Sequence, residues 1–210
     1  MNEFHKILEH DYYQKDFLQY IQQIQIGIAG VGGLGSNIFI SLVRSGFVNF
    51  EIVDFDCVES SNLNRQYFFK DQIGIPKVDA IIETAKRINP DLLVIRYKDK
   101  LNHQNINNYF KNSDIIFEAF DIVTYKKMIF ETFGASEKVI VCGSGMAGLS
   151  NDTDIRIRKL SKHHFLVGDE ISAVSDSTKV YAPRVIACAS LMSSVVLEKV
   201  YLDWLSNSNV

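Results

Sequence analysis

The 210-residue chain lacks paired cysteines, a basic excess and an uninterrupted hydrophobic run. Each absence removes a class of protein. Its three cysteines, Cys57, Cys142 and Cys188, form no C-x-x-C pair, and five scattered histidines do not complete a four-ligand set, so no structural zinc site is expected. An odd number of thiols suits reduced cysteine in the cytoplasm better than a disulfide framework. Lysine and arginine number 22 against 25 aspartates and glutamates, a formal net charge of −3, which offers no electrostatic footprint for a nucleic-acid partner. Residues 1–23 are polar and amphipathic, without the apolar core and small-residue cleavage site of a signal peptide. The most apolar stretch, 185–202, is broken by Ser193, Ser194, Glu198 and Lys199, and reads as a buried helix, not a membrane span. There is no internal repeat and no low-complexity tract. The composition that remains, 47% hydrophobic and 22% charged, is enough to bury a core in one domain over residues 1–210.

Periodicity divides that domain into three stretches. Phe4, Ile7, Leu8, Phe17, Leu18 and Ile21 recur at helical spacing and predict an N-terminal helix or helix pair over 1–23. From 24 to 148, short β-branched runs at 24–29, 50–55, 92–97, 114–119 and 139–142 alternate with helical patterns at 36–45, 76–88, 102–110 and 125–133. This is the order of a Rossmann-like, doubly wound, mostly parallel α/β sheet. Pro76 is expected in the first turn of its helix, and Asn89-Pro90 to end it. Residues 56–75 show no period, and long ordered loops in compact domains tend to be functional. The stretch 149–210 is a crossover loop, antiparallel strands and a final helix. Residues 154–159 alternate Ile with Arg or Lys, predicting an antiparallel strand with one wet face, paired with 164–167. Residues 168–181 read as a mobile loop, and Pro183 begins a helix to about Trp204.

The chemistry starts at Gly30-Val31-Gly32-Gly33-Leu34-Gly35, between a predicted strand and a predicted helix. Glycines there allow a tight turn and let backbone N–H groups and the positive helix end approach a phosphate. Asp54 follows Gly35 by 19 residues at the end of the next strand, where an acid accepts hydrogen bonds from ribose hydroxyls. NAD, FAD and ATP all satisfy these features. The next cluster discriminates among them. Arg65 and Lys77 would flank the phosphates, and a hydride-transfer site has no need of them there. In nucleotidyl transfer the attacked α-phosphate gains charge and pyrophosphate leaves as an anion, and cations stabilise both. Ser61 and Asn62 can orient the phosphate chain. Asp121, after the fourth strand, is placed to help hold Mg²⁺, which takes only one or two carboxylates beside phosphate and water.

With Gly30-x-Gly-Gly-Leu-Gly35, Asp54-Phe-Asp56-x-Val-Glu-x-Ser61-Asn62-Leu-Asn-Arg65-Gln66, Pro76-Lys77 and Asp121, the chain resembles the ThiF, MoeB and HesA superfamily, bacterial relatives of ubiquitin-activating enzymes. The resemblance is densest over 25–121 and continues more loosely through Ala182-Pro183-Arg184 and the last helix. It is strongest toward compact ThiF-type adenylyltransferases of thiamine biosynthesis. It implies that ATP, with Mg²⁺, adenylates the C-terminal glycine carboxylate of a small ubiquitin-like carrier protein ending in Gly-Gly, and that the enzyme is a homodimer. It implies that Gly33 approaches the α-phosphate and that Asp54 holds the ribose. Asn62, Arg65 and Lys77 then contact the phosphates, Asp121 serves the metal or the attacking carboxylate, and Asp56, Ser61 and Gln66 complete the nucleotide-binding set.

The chain departs from that pattern in four places, one of them Ile122 after Asp121 where relatives often carry Asn. It has no paired zinc cysteines, no cysteine between Gly148 and Tyr181 to link covalently to a carrier, and no arginine in residues 1–23, where family members donate one across a dimer. His5, Lys6 or Lys15 are the candidate substitutes. Cys188 and Cys57 read as structural thiols, and His163-His164 as surface residues. Two other classes stay open: a dinucleotide-dependent oxidoreductase, and a carrier-binding module weakened in catalysis. Within the family, a molybdopterin-pathway activator is a further alternative.

Overall fold

A computed structural model describes residues 2–120, 123–149 and 154–208. The N-terminal segment is a helix pair. α1 (Glu3–Ile7) runs into a π-helical turn, Leu8–Tyr12, and α2 (Lys15–Ile21) follows a break at Tyr13-Gln14. Phe17, Leu18 and Ile21 are its buried face.

The core is a seven-stranded sheet. Its strands are β1 (Gln25–Ala29), β2 (Asn49–Val53), β3 (Leu93–Tyr97), β4 (Ile115–Glu118), β5 (Val139–Gly143), β6 (Arg156–Lys159) and β7 (His164–Gly168), in the order β3-β2-β1-β4-β5-β7-β6. Every pairing is parallel except β6 with β7. β1, β2, β4 and β5 are almost wholly buried, as parallel strands covered on both faces must be. The helices are α3 (Gly33–Arg44), α4 (Lys77–Lys86), α5 (Ile106–Phe110), α6 (Val123–Phe133) and α7 (Ala182–Asn207). One core lies between the sheet and α2, α3, α4 and α7. A smaller one lies between the sheet and α5 and α6. The chain reverses direction across the sheet between β1 and β4, so the carboxyl ends of those strands form the crevice where ligands bind in such folds.

Four expectations are corrected. α3 begins at Gly33, not at residue 36, so two loop glycines belong to the helix. Pro76 is the residue before α4, with extended ψ of 133°, because Lys77 takes the first helical place. β6 is exposed at all four residues rather than on one face, at the edge of the sheet. His163 and His164 are half-buried, His163 lying 3.1 Å from Glu137 and His164 edge-on to Phe130. The 168–181 segment is tied at both ends: Asp169 accepts the Ser172 N–H, and Ala147 bridges Val180. Cys142 and Cys188 are buried, and burial pushes both thiols up, Cys188 to about 12, so neither is a ready thiolate.

α7 is long and apolar enough to cross a membrane by length and composition. It packs along α3 and against β5, β7 and α2, burying Val185, Cys188, Met192, Val196 and Trp204, with Ile186, Tyr201 and Leu202 left outside.

Candidate active site

The glycine loop connects the end of β1 to α3 with no slack. Gly30 has φ of +92°, a conformation that side chains with a Cβ rarely adopt. A methyl group at Gly35 would lie 1.8 Å from the Gly30 carbonyl oxygen. The residue preceding the helix is Gly32, whose lack of a side chain leaves the helix N-terminus uncapped and its N–H groups facing outward. Such an end is a ready anion site.

Asp54 holds this loop in place. It is buried at the end of β2, its Oδ2 accepts from the Val31 N–H at 2.7 Å, and its Oδ1 accepts from the Asp56 N–H at 2.9 Å. Burial raises its carboxyl above the usual value, against the opposing pull of those two N–H groups and the Lys77 charge. Asp56 continues the connection. Its carboxylate takes the Lys77 ammonium at 2.8 Å, and its carbonyl accepts from the Lys77 N–H at 3.0 Å. Lys77 is buried as the first residue of α4. The long 56–75 excursion is closed at its neck by these contacts and by Val58 bonding Ile75, so Lys77 returns to the same sheet edge as Asp54.

Two 3₁₀ turns, Ser60–Asn62 and Lys70–Gln72, shape the excursion. Asn62 is buried and accepts the Glu59 N–H at 3.0 Å, which locks the turn, while Ser61 stays exposed. The turn presents Arg65, whose guanidinium donates to the Ser61 carbonyl and to Asn64. A methyl group at Gly33 would lie 3.9 Å from the Arg65 side chain, and one at Gly32 would lie 3.9 Å from the Gln66 amide nitrogen. Gly30, Gly32, Gly33, Gly35, Asp54, Asp56, Arg65, Gln66 and Lys77 are therefore gathered at one edge. Asp121, next after Phe120 in the sequence, lies outside the described residues.

Periodicity and motif did not single out the residues that join the two halves of the site. Ser36, fully buried on α3, donates to the Gly32 carbonyl and accepts the Tyr67 N–H at 2.9 Å. Asn37 donates to the Gly33 carbonyl at 2.7 Å and the Arg65 carbonyl at 3.0 Å. A serine and an asparagine side by side in the first turns of an otherwise apolar helix were the available signal. A second group went unmarked: Asp169 and Arg184, both buried and 2.6 Å apart, join the base of the 168–181 segment to the start of α7. The next residue, Val185, packs on Gly33.

A cleft of about 370 Å³ opens beside this edge, lined by Leu101, Asn102, His103, Thr124, Tyr125 and Met128. It lies between the segment after β3 and the start of α6, next to the end of β2. Another cavity of about 300 Å³, lined by His5, Gln19, Val48 and Asp91 among others, sits at the amino ends of β2 and β3, on the opposite side of the sheet from these motifs.

The model of the ThiF family matches residues 6–199. The chain belongs to the ThiF family. It is 30% identical over 152 residues to a tRNA threonylcarbamoyladenosine dehydratase of Haemophilus influenzae, a stretch that is 71% of this chain and 58% of that protein. It is 29% identical over 180 residues to ubiquitin-like modifier-activating enzyme 5 of Bombyx mori, 85% of this chain and 42% of that one. The match thus spans under two thirds of the length of these relatives. The ThiF fold is also that of the Escherichia coli tRNA threonylcarbamoyladenosine dehydratase crystallised with ATP, at a TM-score of 0.84 and 21% identity, covering 97% of this chain and 95% of that one. The Escherichia coli protein MccB, solved with ATP, superposes with a TM-score of 0.68 at 17% identity over 88% of this chain and 57% of its own.

Among the described residues of this ThiF-family chain, no three His, Cys, Asp or Glu side chains converge as a metal-holding group.

Proposed function

We propose that this chain binds ATP at the glycine loop and adenylates the C-terminal glycine carboxylate of a small ubiquitin-like sulfur carrier protein. The observation that carries the reading is the joining of two motifs: Ser36 and Asn37 hold Arg65 and Gln66 against Gly33 and Gly32. A glycine loop alone serves any nucleotide. An arginine fixed over its second half serves phosphates that change charge during reaction.

In this reading the triphosphate lies on the N-terminus of α3, the ribose is read by Asp54, and the base enters the cleft at Leu101, Asn102 and Tyr125. One oxygen of the carrier carboxylate attacks the α-phosphorus. The bond from that phosphorus to the bridging oxygen breaks, and pyrophosphate leaves with the electron pair. A carboxylate is already a nucleophile at neutral pH, so no general base is required, and positioning with charge neutralisation supplies the catalysis. Arg65, Asn62 and Ser61 act on the phosphates. Lys77, held by Asp56 at 2.8 Å, exchanges that partner for phosphate when the nucleotide binds. Mg²⁺ would add positive charge to the leaving pyrophosphate. Asp121, by its place in the sequence, and Asp56, by its half-exposed carboxylate, are the oxygen donors offered to it. The proposed assembly is a homodimer, with Ile186, Tyr201 and Leu202 of α7 among the apolar groups available to it.

A second reading keeps the chemistry and changes the acceptor. Its support is the 30% identity to a tRNA threonylcarbamoyladenosine dehydratase, since a threonylcarbamoyl group also carries a carboxylate. The net charge of −3 weighs against a polyanionic partner. Exchange of labelled pyrophosphate into ATP separates the readings. We expect exchange that depends on a Gly-Gly-ending carrier and falls roughly 10²-fold in Arg65→Ala and in Lys77→Ala. Exchange driven by threonylcarbamoylated tRNA alone selects the second reading, and none with either acceptor rejects adenylylation.

A further inference from the structure

We infer that Glu118 and Lys126 are positioning residues that set Ala119 and Phe120, which follow β4, against the glycine loop. β4 reads Ile-Ile-Phe-Glu, three apolar residues and then a carboxylate with no exposed surface. A charge so placed is costly unless it is paired and hydrogen-bonded. Glu118 is both. Its Oε1 accepts the Phe120 N–H at 3.0 Å, and its Oε2 takes the ammonium of Lys126 from α6. Lys126 also donates to the carbonyl of Gly143, the last residue of β5, at 2.7 Å. One ammonium thus joins the carboxyl ends of two strands to α6.

Ala119 and Phe120 press on the phosphate loop. The Ala119 N–H donates to the Ala29 carbonyl, and the Phe120 ring would lie 3.0 Å from a methyl group at Gly30. The Phe120 ring packs tilted against Tyr125 with centroids 4.4 Å apart, and Tyr125 lines the adjoining cleft. Asp121 is the next residue in the chain. The glycine loop has its own anchors on the other side: the Gly30 N–H donates to the Val53 carbonyl, and the Val31 N–H to Asp54. The two walls of the crevice are therefore held by separate devices. Loosening the Glu118–Lys126 device leaves the ATP-binding wall in place and displaces Ala119 and Phe120 on the facing wall. For its effect on turnover, this inference rests on the adenylylation proposed above.

Hydrogen–deuterium exchange tests the positioning without reference to activity. In Lys126→Met we expect exchange over residues 119–125 to quicken ~10-fold, with residues 29–35 unchanged. ATP affinity should stay within about threefold, while turnover in carrier-dependent pyrophosphate exchange drops roughly 10²-fold. Lys126→Arg, which keeps the charge and the donors, should recover most of that turnover. Unchanged protection at 119–125, equal loosening of both segments, or turnover lost only in proportion to ATP affinity overturns the inference. If wild-type protein exchanges no pyrophosphate with either acceptor, adenylylation fails while the two segments still decide the positioning. If Lys126→Met does not fold, Glu118→Gln/Lys126→Met removes both charges and takes its place. Normal protection and turnover in that pair of substitutions would reject the role.

Discussion

The two sides of the β1–β4 crevice are built on different principles. On the β1–β2 side, backbone groups are satisfied by short polar side chains: Val31 by Asp54, Tyr67 by Ser36, the Arg65 carbonyl by Asn37. On the β4–β5–β7 side, buried ion pairs tie separate elements together: Glu118 with Lys126, and Asp169 with Arg184. The first kind of tie joins residues 23 to 31 apart in sequence but is mostly neutral, so losing one costs about one hydrogen bond. The second spans helices and strands, and removing one partner takes a counter-charge from a buried ion. The glycine loop is thus held by one buried carboxylate, Asp54, and by neutral side chains, whereas on the other side buried ion pairs fasten each strand end to the helix that follows it.

The contrast should show first in stability. Arg184→Met removes the cation 2.6 Å from an Asp169 side chain that is 1% exposed, and is expected to destabilise by about 3–5 kcal/mol. Calorimetry should record this as a Tm lowered by roughly 10 °C. A loss no larger than that of a single neutral tie would break the comparison. Ser36→Ala supplies that neutral case. It leaves the Tyr67 N–H without its acceptor on a buried face, and should cost about 1–3 kcal/mol by denaturant unfolding. It should also weaken ATP binding, because Arg65 hangs from the same segment.

The smallest effect comes from placing a charge in a neutral network. His5 is buried in α1. The Asn89 amide oxygen accepts from Asn2 and from the Asp91 N–H, which fixes its NH₂ toward the His5 Nε2 at 2.9 Å. That imidazole must be neutral. Burial lowers its value below the ordinary 6.5, more than Asp91 raises it. A depressed value means that the neutral form is the folded form. Its contribution is complete above pH 6.5 and is lost as the pH falls through the depressed value. Protection of the α1 amides, relative to their intrinsic exchange rate at each pH, should fall between pH 7 and pH 5, and His5→Gln should flatten that response. An equal response throughout the sheet would contradict the local character of neutral ties.

The same contrast explains what could be read from sequence. The strand–loop–helix order, the glycine loop, Asp54, Arg65 and Lys77 were legible because each sits inside a local pattern, a period of two or 3.6 or a fixed spacing from a strand end. α3 began three residues early because glycines at a helix N-terminus carry no periodic signal. Asp169 and Arg184 stayed hidden because no period relates residues on either side of an irregular segment. Glu118 was visible as a lone carboxylate ending an apolar strand, yet its partner Lys126 required knowledge of how α6 lies over the sheet. The exposure of β6 on both faces depended on its place at the sheet edge, which is a property of topology and not of its alternating Ile and Arg.

The contact between Gly35 and the Gly30 carbonyl has a consequence for how this scaffold diversifies. With 1.8 Å available where a methyl group would go, no single substitution at that point can retune the phosphate site; it can only destroy it. New substrate choices must arise in segments with room to vary: the cleft at Leu101, Asn102 and His103, and the 168–181 segment with its outward Ile171 and Val174. A lineage built on this loop would hold the glycine turn constant and vary the residues at the rim.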